Sequence, residues 1–384
     1  MGLDVWIYGP GYGESILMAW DALPNKEGTA RRTAFIDCHG GIDFDEHPAI
    51  VQWGKMGCPD VAWVAITHPH MDHIRNASTM MAVAGCNAET LLWWGGVTME
   101  RLEAFYSKLG EDVALREERL GRLAVMTSRF IKDLNQLQRR RHGHRTEAHP
   151  PMILAPSEII DAVCEEETPD GRLTISTISP WLEPQKVYTG WVDEQIQRDR
   201  DGHPIIFPKR GAFNSTSLGM VVQHGNAQVL LGGDMEENNW DNLHRARTSA
   251  HPENRHRGKL TTFKPCLIKV SHHGSETGHI PEMWGPGTGF FGSLKTGSKP
   301  PICIITPWRN AGRRLPDKDL VTRIAKAGCE VWETATKDEA TAVDDTTTLP
   351  DSFIHLRVNA ETNEAKMIEQ RFCRRTPSSN LFVS

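Results

Sequence analysis

Short apolar runs separated by turn residues recur along the chain, and each hands over to a polar residue or a loop at its far end. "TAFID" runs into Asp37, "VAWVAITH" into His68, "AQVLLGGD" into Asp234, "CLIKVSHH" into His272 and "PICIITPW" into Trp308. Runs this short and this continuously apolar read as buried strands that deliver ligands or loops at their C-terminal edges. Helical patterns alternate with them. "IRNASTMMAVAG" follows the second run, and "KDLVTRIAKAGCEVWE" predicts a helix stopped by Gly328 before a short strand. Positions 97 to about 148 are charged and helical, which predicts an insertion of two helices broken near Gly110. Positions 183–213, rich in charge and turn residues, predict a loop excursion or hairpin. Alternation around "NAETNEA" predicts a hairpin over 352–372. The expected organisation is one decorated α/β domain over 1–350 with a C-terminal hairpin and tail over 351–384, and no internal repeat is visible.

Composition narrows the class without choosing it. A chain of 384 residues buries a large core, and 39% apolar with 24% charged residues is ordinary for a folded globular protein. No segment approaches the roughly 18 apolar residues of a membrane span, and the N-terminus lacks the basic and apolar regions of a signal peptide. The expectation is a cytoplasmic protein with no membrane partner. The eight cysteines are scattered without a CxxC pair, which argues against a thiolate zinc knuckle or a dense disulfide frame. A formal net charge of -6 argues against a nucleic-acid footprint spread over the whole surface. Local basic patches remain at Arg139, Arg140, Arg141 and Arg145, over 244–259, and at Arg309, Arg313 and Arg314.

The chemistry concentrates in "THPHMDH", where His68, His70, Asp72 and His73 follow an apolar strand. Imidazole and carboxylate without thiolate suit zinc, manganese or iron. Four ligands so close in sequence do not all reach one ion comfortably, so two adjacent metal positions are the natural solution. A bridging carboxylate must then come from elsewhere. "LLGGDME" offers Asp234 after two glycines, and "KVSHHGS" offers His272 and His273.

These motifs resemble the metallo-β-lactamase fold superfamily, and within it the hydrolase domain of the ComEC/Rec2 DNA-uptake proteins and their stand-alone relatives. The residues that carry the likeness are "GYGESILM", "FIDCHGG", "THPHMDH", "NSTSLGMVVQHGNAQVLLGGD" and "LIKVSHHGS", with "ITPWRN" as a weaker match. The resemblance implies a four-layer αββα sandwich and two divalent ions, zinc or manganese. It puts His68, His70 and Asp234 on one ion and Asp72, His73, Asp234 and His272 on the other. It gives Asp72, with His273, a catalytic or substrate-facing role, and gives Asp37 and Asn214 supporting roles behind the ligands. Two positions depart from the pattern. Ser179 stands where several chains of that branch carry histidine, and Leu315 precedes Pro316 where many have a His-Pro pair.

The implied activity is hydrolysis assisted by a metal pair, with a phosphodiesterase or nuclease as the leading expectation. Arg139, Arg140, Arg141, Arg145 and Arg309 are then candidate contacts to nucleic-acid phosphates. Stand-alone members of the branch also suggest, by analogy, an effector of bacterial antiviral defence with a regulatory protein partner. The alternatives are a small-molecule hydrolase acting on a cyclic nucleotide, lactone or β-lactam, and a degenerate metal-binding scaffold.

Overall fold

Two eight-stranded mixed sheets lie face to face, each built from an antiparallel half and a parallel half. The computed structural model describes residues 2–9, 13–23, 31–39, 47–83, 88–94, 99–114, 118–143, 152–154, 162–203, 205, 213–248, 264–284, 299–310, 313–334, 352–371 and 373–376. In chain order the strands are β1 (Leu3–Tyr8), β2 (Ser15–Asp21), β3 (Arg31–Ile36), β4 (Asp60–Ile66), β5 (Thr90–Trp93), β6 (Met152–Leu154), β7 (Ala162–Thr168), β8 (Gly171–Ser179), β9 (Gly219–His224), β10 (Ala227–Leu231), β11 (Leu267–Lys269), β12 (Ile302–Ile305), β13 (Arg309–Asn310), β14 (Arg313–Arg314), β15 (Glu330–Glu333), β16 (Phe353–Asn359), β17 (Glu364–Arg371) and β18 (Arg374–Arg375). The helices are α1 (Pro48–Lys55), α2 (Met71–Ile74), α3 (Ala77–Val83), α4 (Met99–Ala114), α5 (Glu118–Gly143), α6 (Leu182–Arg200), α7 (Glu237–Thr248) and α8 (Lys318–Lys326).

The first sheet has the order β17-β16-β1-β2-β3-β4-β5-β6 and the second β18-β15-β12-β11-β10-β9-β8-β7. Pairing is parallel from β3 through β6, and again along β10, β11, β12 and β15. Parallel strands end at a common edge, so the residues that follow them are brought together there. The C-terminal hairpin β16/β17 docks on β1 in antiparallel register and thereby extends the first sheet.

The apolar runs are buried on both faces, and their alternate residues build separate cores. Val5, Ile7, Ile16, Met18, Ala34, Ile36, Trp63 and Ala65 face Ile175, Met220, Val222, Val229, Leu231, Leu267 and Ile304 between the sheets. The intervening residues Trp6, Leu17, Phe35, Val64 and Ile66 pack with residues of α1, α3, α4, α5 and α6. On the far side Leu230, Ile268, Cys303, Ile305 and Val331 pack with Trp240 of α7 and Leu320 and Ile324 of α8. Helix, sheet, sheet and helix follow one another, which is the αββα sandwich expected from the motifs. Each large side chain sealed between layers contributes about 1.5–3 kcal/mol relative to exposure.

Two local expectations change. Gly110 lies inside α4, which continues to Ala114, because a glycine in a helix interior costs only about 1 kcal/mol and α4 packs along α5. The stretch expected as a loop or hairpin from 183 is instead the helix α6. Its buried stripe is Gln185, Tyr188, Val192 and Gln195, spaced by three and four residues. Half of that stripe is glutamine, so the helical period is carried by polar residues and the apolar pattern does not display it. Among the described residues no helix is long and apolar enough to cross a membrane.

Candidate metal centre

Five strand ends supply the site. Asp37 follows β3, the His68–His73 segment follows β4, Asp234 follows β10, His273 follows β11 and Thr306 follows β12. The turn into Asp234 runs through Gly233 at φ +50°, where a Cβ would lie 2.6 Å from the Leu218 carbonyl oxygen. Only glycine fits that close, left-handed passage.

The Asp234 carboxylate divides two sets of ligand-type atoms. Its Oδ2 lies 3.6 Å from His68 Nε2, while its Oδ1 lies 3.4 Å from His73 Nε2 and 3.7 Å from His273 Nε2. One set is His68, His70 and Asp234, and the other is Asp72, His73, Asp234 and His273, with the ligand-type atoms of each set within 4.8 Å of one another. Asp72 and Asp234 therefore meet in one cluster.

The far nitrogen of three rings is tied down. His73 Nδ1 bonds to Asp37 Oδ2 at 2.7 Å, and His273 Nδ1 to the Thr306 carbonyl at 2.9 Å. Thr67 Oγ1 donates to Asp37 Oδ2 at 2.8 Å, so it accepts from His68 Nδ1 at 3.1 Å. Each ring then turns the lone pair of Nε2 into the cluster. His70 uses the opposite nitrogen, its Nδ1 lying 3.0 Å from His68 Nε2, and it is backed by the Phe213 ring at 5.5 Å between centroids. Asp37 itself is buried at φ +54° and receives the Thr67 backbone N–H at 2.8 Å.

Burial works against charge throughout the cluster. At Asp72 and Asp234 the neighbouring rings of His73 and His273 overcome it and hold the carboxyls below the usual range. At His73 the carboxylates of Asp234, Asp37 and Asp72 overcome it and push the ring above its ordinary value. Burial also opposes the charged form of His273, yet Asp234 and Asp72 raise it. Burial, with the charge of His73 and His70, pushes His68 well down, and burial lowers His70 to about 4.

The residues present fit divalent cations. His73 Nε2 and Asp234 Oδ1 are buried, face each other, and have no hydrogen-bond partner among the described residues. Orphaned buried polar atoms cost about 1–3 kcal/mol each, a cost that a shared cation removes. The donor set of imidazole and carboxylate is that of zinc or manganese.

The structure brings His68, His70, Asp72, His73 and Asp234 together. His272 lies outside both sets, although its charge still acts on Asp234 and His70. Its Nδ1 lies 3.3 Å from Glu236 Oε1 and its Nε2 3.2 Å from Asn214 Nδ2, while His273 fills the place beside Asp72. The reason is backbone conformation: both histidines are left-handed, at φ 46° and 54°, so the chain turns the second ring inward. Asn214 accordingly supports His272 and Glu236, donating to Glu236 Oε1 at 2.9 Å. Ser179 accepts from Asn239 Nδ2 at 2.8 Å, and Leu315 donates its N–H to the Trp308 carbonyl at 2.8 Å. Arg139, Arg140 and Arg141 lie on the last turns of α5, Arg309 lies on the short hairpin β13/β14, and Arg145 lies outside the described residues.

Sequence reasoning passed over Glu14, Lys269 and Thr306. All three are buried, and Lys269 Nζ forms an ion pair with Glu14 Oε2. The available signal was a lysine inside the otherwise apolar run "CLIKV".

No protein-family model matches the chain, and no curated protein matches it in sequence. Among solved structures, the metallo-beta-lactamase fold protein YhfI from Bacillus subtilis aligns over 86% of this chain and 95% of its own, at 12% identity and a TM-score of 0.34. At that distance the likeness carries no weight beside the geometry of the residues. The His/Asp cluster at the sandwich edge is a candidate site for metal-dependent hydrolysis.

Proposed function

We propose that this chain is a hydrolase working with two divalent ions, zinc or manganese, and that its substrate is a phosphodiester, in the first instance a nucleic acid. One observation carries the reading: the two oxygens of Asp234 face two separate ligand sets. When bound, such ions would supply Lewis acidity and lower the pKa of a bound water. The protein's own part is to fix ring orientation through Asp37, Thr67 and Thr306 and to keep the ligand carboxylates ionised. His70 and Asp72 keep partial exposure, so substrate approaches from their side. Asp72, with Oδ2 at 2.9 Å from His273 Nε2, is placed to orient or deprotonate an attacking water there.

The phosphodiester preference rests on the basic hairpin. β13 begins three residues after Thr306, whose carbonyl receives His273, and its register pairs Arg309 with Arg314 and Asn310 with Arg313. Three arginines on so short a hairpin make the kind of local basic patch that holds phosphates. The ComEC/Rec2-like motifs support the same substrate class. A cytoplasmic role in bacterial defence under a regulatory protein partner belongs to this proposal through that motif likeness alone.

The test is cleavage of linear, circular and single-stranded nucleic acids, beside bis-p-nitrophenyl phosphate, a cyclic nucleotide and a lactone, with zinc or manganese added. Nucleic-acid cleavage that depends on Asp72 supports the reading. Turnover of the cyclic nucleotide or lactone with no nucleic acid cut replaces it by a small-molecule hydrolase, and binding of metal with no turnover replaces it by a scaffold.

A further inference from the structure

Beneath the ligands lies a second, fully buried layer of charge that joins the two sheets. Glu14, immediately before β2 in the first sheet, and Lys269, at the end of β11 in the second, have side chains only 1% and 0% exposed. Lys269 Nζ pairs with Glu14 Oε2 and also donates to the Val270 carbonyl at 3.0 Å. Thr306 Oγ1 donates to the same Glu14 oxygen at 2.9 Å. Thr306 then faces His273 Nδ1 with its carbonyl at 2.9 Å and its hydroxyl oxygen at 3.4 Å. Glu14 also reaches the opposite wall of the site, because its backbone N–H donates to the Asp72 carbonyl at 3.1 Å.

The directions of these bonds are not interchangeable. A carboxylate paired with lysine only accepts, so the Thr306 hydroxyl proton points at Glu14 and its lone pairs point at His273. The Thr306 carbonyl at 2.9 Å is the acceptor for His273 Nδ1, and the bond to Glu14 anchors the residue that carries this carbonyl, with Nε2 turned toward Asp72 and Asp234.

We infer that Glu14, Lys269 and Thr306 form a positioning unit that holds the Thr306 carbonyl against His273 Nδ1, fixes the aim of that ring and so sets the affinity of the ion held by Asp72, His73 and His273. The inference rests on the two-ion reading above. A purely structural ion pair explains the burial but not the connection to His273, since a buried pair replaced by apolar groups of similar volume often leaves stability unchanged.

The experiment is stepwise cobalt or zinc titration against a competing chelator, with melting temperature recorded in parallel, on wild type, Thr306→Val, Thr306→Ser and the double variant Glu14→Gln/Lys269→Met. The double variant leaves no unpaired buried charge and is expected to fold. Thr306→Val and the double variant should each weaken one of the two ions by about ten-fold or more, as removal of outer hydrogen-bond partners of metal ligands does. The other ion should hold within about two-fold, and Thr306→Ser, which keeps the hydroxyl, should bind both as wild type does. Wild-type affinity for both ions in all variants, or equal weakening of both ions, overturns the inference alone. A wild-type protein that binds no divalent ion overturns the two-ion reading and the inference with it.

Discussion

His273 Nε2 lies 2.9 Å from Asp72 Oδ2, although 201 positions separate the two residues in the chain. The contact closes the cluster across the sandwich, since Asp72 comes from the first sheet's edge and His273 from the second's. Its neighbour His272, identical in side chain, points at Glu236 and Asn214 instead.

Replacing the two histidines separately should therefore give opposite results. His273→Ala is expected to lose one of two bound ions and at least about a hundred-fold in turnover, because it removes a ligand-type atom from the cluster. His272→Gly should keep both ions, and its stability should stay within about 1 kcal/mol of wild type, since glycine relieves the left-handed strain at φ 46° while adding unfolded-state entropy. Elemental analysis and thermal melts decide it. Loss of an ion in His272→Gly with both retained in His273→Ala would reverse the ligand assignment.

Asp37→Asn tests the support behind His73. Asparagine tolerates the left-handed backbone at φ 54°, so the fold should survive. The amide offers one acceptor oxygen where the carboxylate offers two, so either His73 Nδ1 or the Thr67 N–H loses its acceptor, and metal affinity should fall about 10–100-fold. A chelator competition titration measures this. Unchanged affinity would show that the His73 ring is held by packing alone.

Much of this arrangement was legible in the sequence because each ligand follows an apolar run, and parallel strands end at one edge. Asp37, His68 and Asp234 were placed by that logic alone. The choice between His272 and His273 was not, because it depends on two consecutive left-handed residues that no side-chain pattern announces. α6 was hidden by Gln185 and Gln195 on its buried stripe. Glu14 was hidden by distance: its bond to Thr306 spans 292 positions, and a lone glutamate in a glycine-rich stretch of sequence carries no sign of its partner.

Stability should fall as the pH drops below the ordinary histidine value of 6.5. Burial lowers His39 to about 3, His47 to about 4 and His279 to about 3, so the folded protein keeps these rings neutral while the unfolded chain protonates them. The unfolded state then binds more protons between pH 6.5 and about 4, and each ring removes about 1.4 kcal/mol per pH unit across its window. His73 and His273, raised by their carboxylates, act in the opposite sense, their contribution being lost as the pH rises past 6.5. Melts of metal-free protein from pH 7 to pH 4 measure the effect. A flat profile between 6.5 and 4.5 contradicts the assignment of these rings as buried and neutral.

The basic segments separate a polymer substrate from a small one. A nucleic acid must be held by phosphates beyond the scissile bond, and each phosphate neutralised by arginine adds about 0.7 to 0.9 to the slope of log affinity against log salt. Replacing Arg309, Arg313 and Arg314 of the hairpin with alanine should therefore weaken nucleic-acid cleavage and flatten its salt dependence by about one unit per lost contact. The same replacement of Arg139, Arg140, Arg141 and Arg145 asks whether that basic run of the sequence also touches the polymer. Hydrolysis of bis-p-nitrophenyl phosphate should barely change in either variant, because that ester is too small to reach contacts away from the ions. Equal loss on both substrates would mean that the arginines shape the site itself. No loss on either would make both segments solvated surface, and would remove the physical support for a nucleic acid over a cyclic nucleotide or lactone.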